Sequence, residues 1–208
     1  MADLIFFTNP MSRGQIVRWM LEEVGEPYET RLLDYASTMK AEPYLSINPM
    51  GKVPAIIHNG KTVTECSAIC AYLAAAFPDA GLGPRPEELA DYYRWMFFAA
   101  GPVEQAVTNH AMGFEPSSDQ ERMAGYGNYA RVVDVLDGML GEREFATGDR
   151  FTACDVYLGS QILWGTQFGT LPVTDNFGAY GERLSVREAY KRGKAEDMRL
   201  IAEMQPAQ

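Results

Sequence analysis

Asn48-Pro49-Met50-Gly51-Lys52-Val53-Pro54-Ala55-Ile56-Ile57-His58-Asn59-Gly60-Lys61-Thr62-Val63-Thr64-Glu65-Cys66-Ser67-Ala68-Ile69 carries three structural signals in succession. Pro49 and Pro54 bracket a turn. Ile56-Ile57 and Thr62-Val63 then flank His58-Asn59-Gly60-Lys61, and an Asn-Gly pair between apolar runs is a strong signal for a two-residue hairpin. From Cys66 to Phe77 the chain is rich in Ala and Leu and stops at Pro78, which predicts a helix. Lys52-Val53-Pro54 is therefore a tight turn feeding a strand. Its X-Pro bond is either cis, the isomer that tight turns tolerate, or an ordinary trans bond. An extended Val53 there could offer its N–H and C=O to a peptide-like ligand in β fashion. At Glu65-Cys66-Ser67 the free N–H groups and macrodipole of a helix start suit a carboxylate, and Glu65 suits an ammonium. Plain capping by Thr64, with Glu65 favouring the dipole, is the other reading of that segment.

Towards the N-terminus, Leu4-Ile5-Phe6-Phe7 is a short apolar run ended by Thr8-Asn9-Pro10, as in a strand buried on both faces. Beyond Arg13, the residues Ile16, Val17, Met20, Leu21 and Val24 recur at helical spacing up to Gly25 and Pro27. Tyr28–Leu33 completes a βαβ unit with parallel strands. The order of this half is βαβ followed by ββα.

Towards the C-terminus, three prolines and two glycines between Pro78 and Pro86 interrupt the pattern. We place a domain boundary there, with residues 1–78 forming an α/β domain and residues 86–205 an all-helical one. Helices are expected at about Glu87–Met112, Asp119–Leu140 and Ala153–Phe168. Capping-box patterns begin at Ser118, Thr152 and Ser185, each three residues before an acid.

The composition excludes several classes of protein. The 208 residues are 47% hydrophobic and 22% charged, in the range of ordinary globular domains. A net charge of -10 repels a phosphate backbone, so no nucleic-acid partner is expected. Cys66, Cys70 and Cys154 contain no CxxC and suggest neither a disulfide framework nor a zinc site. The N-terminus lacks the basic and long apolar regions of a signal peptide, and Val156–Thr174, though uncharged, is too polar to span a bilayer. A cytoplasmic protein without membrane or metal association is the expectation. His58 and His110 form neither a metal pair nor a triad.

Together, the βαβββα half, the Asn-Pro-Met-Gly-Lys-Val-Pro segment, Glu65-Cys66-Ser67-Ala68-Ile69, the proline-rich linker and Phe151-Thr152-Ala153-Cys154-Asp155 resemble the cytosolic glutathione S-transferase family over almost the whole chain. The resemblance implies a thioredoxin-like first domain followed by a helical-bundle domain, with glutathione as co-substrate and a homodimeric assembly. It implies that Pro54 is cis, that Val53 pairs with the cysteinyl part of glutathione, and that Lys52 reaches the glycine carboxylate. Glu65 and Cys66 would hold the γ-glutamyl group. The family usually has Ser where this chain has Cys66, which keeps the backbone N–H but exchanges a hydroxyl for a weaker donor. The family's thiol-activating Tyr, Ser or Cys lies in or just after the loop that here reads Phe7-Thr8-Asn9-Pro10-Met11-Ser12-Arg13. Ser12 is the first choice for that role, with Asn9 and Thr8 as alternatives. A thiol of pKa about 8.5 must fall by about 2 units to ionise at neutral pH, or about 2.7 kcal/mol. A charge-assisted hydrogen bond plus a helix N-terminus supply energy of that order. Tyr92, Tyr93, Trp95, Phe97, Phe98, His110 and Met112 lie on the helix that in this family borders the pocket for a hydrophobic electrophile, and most of them are expected in the core. The expected reaction is attack of the glutathione thiolate on a small hydrophobic electrophile. A glutathione-dependent disulfide or peroxide reductase and a non-catalytic binding or regulatory protein are the alternatives.

Overall fold

The computed structural model describes residues 3–204. The chain divides into two compact units, one made of the residues up to Leu82 together with those from Val186 onward, the other of Gly83–Ser185. In the first unit, β1 (Leu4–Thr8), α1 (Gly14–Val24), β2 (Glu29–Leu32), β3 (Ala55–His58), β4 (Lys61–Thr64) and α2 (Cys66–Ala76) follow in order. The strands form one mixed sheet in the order β2-β1-β3-β4. β1 runs parallel to β2, pairing Ile5 with Glu29, and antiparallel to β3, pairing Phe6 with Ile56. The hairpin closes as the Asn-Gly signal requires, with Ile56 opposite Val63 and φ of 50° at Asn59 and 73° at Gly60.

β1 is apolar without alternation because both of its faces are covered. Phe6 lies under the Arg18 guanidinium of α1, 5.3 Å from ring centre to Cζ. On the opposite face Phe7 and Ala55 pack with Met39 and Tyr44, and Leu33, Ile47 and Val53 close around them. The polar stretch before Asn48 thus acts as a second layer, held in two short 3-10 turns, 38–40 and 44–46. A thioredoxin-like unit results.

The second unit is helical: α3 (Leu89–Phe98), α4 (Glu104–Ala111), α5 (Tyr129–Glu142), α6 (Ala153–Phe168) and α7 (Asp175–Ser185). α3 and α4 form one continuous helix joined by a π turn over Ala99–Val103. Pro102 sits in that turn, and the wider turn accommodates a residue that cannot donate to the helical ladder. The helix expected from Asp119 begins only at Tyr129. Ser117 to Ala124 closes in turns, Gly127 takes φ +71°, and Asn128 provides the cap instead, its side chain accepting from the Arg131 N–H at 2.9 Å. Of the three capping boxes only the one at Thr152 forms. There the buried Asp155 carboxylate accepts from the N–H of Thr152 at 2.8 Å, the N–H of Ala146 at 2.7 Å and the Tyr180 hydroxyl at 2.8 Å. Ser185 ends α7 with its hydroxyl turned back to the Glu182 carbonyl.

α8 (Glu188–Met204) belongs with the first unit, so the helical unit ends earlier than the expected residue 205. Its packing against α1 explains the difference. Gly193 lets the helices approach until a Cβ there would sit 3.5 Å from the Trp19 backbone, and Tyr190 meets Trp19 edge-on at 5.0 Å. Arg18 is 1% exposed and donates from Nε to Asp197 Oδ1 at 2.7 Å, with Asp197 2% exposed. Around this pair, Arg187 binds Glu23 bidentately at 2.6 and 2.8 Å, and Arg192 reaches Glu22 at 3.0 Å.

Removing one member of a buried ion pair leaves the other charge uncompensated. Asp197→Ala is expected to cost about 3–5 kcal/mol in equilibrium unfolding, and a loss under about 1 kcal/mol would show that α8 docks by its apolar contacts alone. In the helical unit, Glu88 receives Arg150 Nε at 3.0 Å, a second Arg150 contact through Nη2, and the Arg85 N–H at 2.7 Å. Arg150 above all holds the Glu88 carboxyl below the usual carboxylate range. A depressed carboxyl stabilises the fold above its unfolded pKa, and that contribution fades as pH falls through the folded value. The stability gap between the native chain and Glu88→Gln should therefore be largest above pH about 5 and narrow on acidification. A gap that widens in acid would contradict this assignment.

Candidate functional site

The residues singled out in the sequence gather at the start of α1, the start of α2 and the loop before β3. The Asn48–Pro54 loop is held from behind. The Lys52 carbonyl accepts from the Tyr44 hydroxyl and from Asn48 Nδ2 at 2.8 Å, and Lys40 Nζ reaches the Gly51 carbonyl. Burial pushes the Tyr44 hydroxyl up to about 12, so it stays a protonated donor throughout the neutral range. Gly51 has φ +57°, and a Cβ there would lie 3.0 Å from the Met39 carbonyl, so the turn demands glycine. The Val53–Pro54 bond is cis. Val53 itself is half-buried. Lys52 is exposed and Pro54 buried.

α2 opens without a side-chain cap, so Thr64 does not take the capping role open to it in the sequence. Glu65 occupies the position before the first turn with φ 67° and ψ 124°, a conformation that costs a non-glycine residue of order 1–3 kcal/mol. Its carboxylate is solvent-exposed. Cys66 is 8% exposed, and its thiol donates to the Arg13 carbonyl, Sγ to O 3.6 Å. This contact ties the start of α2 to the residue immediately before α1. Cys70, one turn on, is fully buried, and burial pushes its thiol well up.

In the loop between β1 and α1, the three residues considered for thiol activation differ in exposure. Thr8 is 0% exposed and Asn9 1%. Ser12 is half-buried, and its hydroxyl accepts from the Gly14 N–H at 2.9 Å while donating to the Asn9 carbonyl at 2.6 Å. The hydroxyl therefore stands at the N-terminus of α1, anchored to its first helical residue. Gly14 is required there, because a Cβ would fall 1.9 Å from Thr8 Oγ1.

Tyr44, Asn48, Lys40 and Gly51 were not singled out by the sequence reading. Asn48 before a proline and Gly51 within a turn carry a recognisable local signal, whereas Tyr44 and Lys40 sit in a stretch with no periodicity. In the helical unit Tyr92 and Trp95 of α3 are buried, and Tyr93 and Phe97, 50% and 68% exposed, stack on each other outside.

Comparison with known proteins agrees with this geometry. Residues 2–75 match the family model "Glutathione S-transferase, N-terminal domain". A probable glutathione S-transferase of Nicotiana tabacum is 30% identical over 161 residues, 76% of this chain and 68% of that protein. Glutathione S-transferase 1 of Schizosaccharomyces pombe is 26% identical over 88% of this chain and 83% of its own length. Among solved structures, a sphingomonad glutathione S-transferase complexed with glutathione superposes with a TM-score of 0.75 at 26% identity, covering 93% of this chain and 98% of the other. With a four-stranded mixed sheet, a cis bond between Val53 and Pro54, and a relative 30% identical over 68% of that relative's length, the chain belongs to the glutathione S-transferase family.

Proposed function

We propose that the chain binds glutathione across the paired starts of α1 and α2 and activates it as a thiolate through the Ser12 hydroxyl, for attack on a small hydrophobic electrophile. The observation that carries this reading is the Cys66–Arg13 contact of 3.6 Å, which brings two helix N-termini side by side. Each carries a partial positive charge at its start. Glutathione brings an anion for each: its γ-glutamyl carboxylate for α2 and its thiolate for α1. Glu65, exposed and ahead of α2, takes the ammonium, while the Cys66 N–H takes the carboxylate and the Cys66 thiol remains on Arg13. Val53 pairs with the cysteinyl amide, and Lys52 approaches the glycine carboxylate.

Ser12 suits the thiol better than Thr8 or Asn9, because these two are closed off from solvent. Its proton rests on the Asn9 carbonyl, which also accepts the Ser12 N–H at 3.1 Å. When a thiolate arrives, the hydroxyl rotates to the sulfur while Oγ stays on the Gly14 N–H, and the carbonyl keeps its second donor. Exchanging a neutral hydrogen bond for a charge-assisted one is favourable by about 1–2 kcal/mol. Family membership supports transfer to an electrophile over the alternatives. A reductase acting through Thr8 or Asn9 would need those residues exposed. We further propose a homodimer working in the cytoplasm, with no metal.

Ser12→Ala is expected to raise the apparent pKa of bound glutathione by about 1–2 units, read from the ultraviolet band of the thiolate, and to lower turnover at neutral pH about tenfold to a hundredfold. Glutathione affinity measured by calorimetry should change by less than about threefold, since the remaining contacts are kept. An unshifted thiol pKa would remove Ser12 from this role, and failure of the native chain to bind glutathione at all would point to a regulatory protein on the same fold.

A further inference from the structure

The loop that carries Ser12 contains a side chain that the reaction above does not use. Asn9 is 1% exposed, and its amide makes two hydrogen bonds to backbone groups. Nδ2 donates to the Leu33 carbonyl at 2.9 Å, and Oδ1 accepts from the Met11 N–H at 3.0 Å. One step earlier, the Leu33 N–H donates to the Thr8 carbonyl at 2.8 Å, extending the β1–β2 ladder. The Asn9 amide continues that ladder by one rung and at the same time closes a turn over Met11. Its main chain is thereby fixed between the sheet and α1. The Asn9 carbonyl is the acceptor on which the Ser12 hydroxyl rests, at 2.6 Å.

We propose that Asn9 is a positioning residue for thiol activation. It does not touch glutathione. It fixes its own carbonyl, and through it the Ser12 hydroxyl, so that the proton needs only to rotate about the Cβ–Oγ bond to reach the sulfur. The inference rests on the reading that Ser12 activates the thiol. The side chain's chemistry is specific: the geometry uses one donor and one acceptor on a two-atom reach, which Asn alone among neutral residues supplies at that length. An Asp in its place would oppose a carboxylate to the Leu33 carbonyl, and an Ala would leave both the Leu33 carbonyl and the Met11 N–H without partners. In either case the turn loosens, and the hydroxyl loses the fixed starting point from which it swings to the thiolate.

The test uses the full chain with Asn9→Ala and Asn9→Ser, each made alone and in the Ser12→Ala background. Readouts are the ultraviolet titration of bound glutathione, kcat and KM with an activated aryl halide, and thermal unfolding. Asn9→Ala should raise the apparent thiol pKa by about 1 unit and lower kcat about tenfold at a pH below it, with KM for glutathione within about twofold. Asn9→Ser, which keeps an acceptor for the Met11 N–H, should show a smaller shift and serves also if Asn9→Ala does not fold. Combined with Ser12→Ala, neither should shift the pKa further, because Asn9 acts through Ser12. A thiol pKa unchanged in both Asn9 variants would overturn the proposal even if stability falls. A shift that adds in full to that of Ser12→Ala would overturn it too, since Asn9 would then act on the sulfur directly. Ser12→Ala alone decides the underlying reading, so the two failures are distinguishable.

Discussion

Two helices of one sheet-based unit begin beside each other, and the contact that joins them is a thiol resting on a carbonyl: Cys66 Sγ on the oxygen of Arg13. Like poles brought together in this way repel, because each helix start carries a partial positive charge. The arrangement gains from an anion with a charge for each terminus. This matters in a chain whose net charge is -10, because the global field turns anionic ligands away and local positive charge has to hold one. Glutathione, with carboxylates at its ends and an ionisable thiol between them, has the matching pattern.

What keeps the helix starts in place lies on both faces of the sheet. On one face α1 is clamped by α8 through the buried Arg18–Asp197 pair, flanked by Arg187–Glu23 and Arg192–Glu22. On the other, Met39 and Tyr44 pack under Phe7 and Ala55, and Tyr44 reaches on to the Lys52 carbonyl. The loop that presents Val53 is thus anchored by the same residue that covers the sheet, so core packing and ligand geometry are coupled. In the β1–α1 loop the coupling is shorter still, because Gly14 must be glycine for Thr8 to fit beneath it and its N–H is the anchor of Ser12.

Much of the fold is legible in the sequence where the signals are local. Asn59-Gly60 specifies its turn through two positive φ angles, and Thr152 with Asp155 specifies the start of α6, because both depend on residues at most three apart. The same capping pattern at Ser118 misleads. Gly125 and Gly127 follow it, and Asn128 offers a cap nearer the apolar period of α5. Arg18 reads as a surface residue because its partner is 179 positions away, and no local pattern announces that α8 returns to cover α1. The site divides in the same way. Val53, Pro54, Glu65 and Cys66 stand in a segment whose turns and helix start are recognisable, and Ser12 stands at a visible helix start. The supports from Tyr44, Asn48 and Asn9 depend on where backbone carbonyls point, which only the folded chain reveals.

In the proposed complex the paired helix starts hold glutathione with its sulfur on Ser12. A crystal structure of the protein with glutathione bound tests it most directly. The sulfur is expected within about 3.5 Å of Ser12 Oγ, the cysteinyl amide paired with the Val53 backbone, and the γ-glutamyl carboxylate at the start of α2 beside Cys66 and Ser67. A sulfur lying nearer to Thr8, Asn9 or Cys66 than to Ser12, with the Ser12 hydroxyl still on the Asn9 carbonyl, would contradict it.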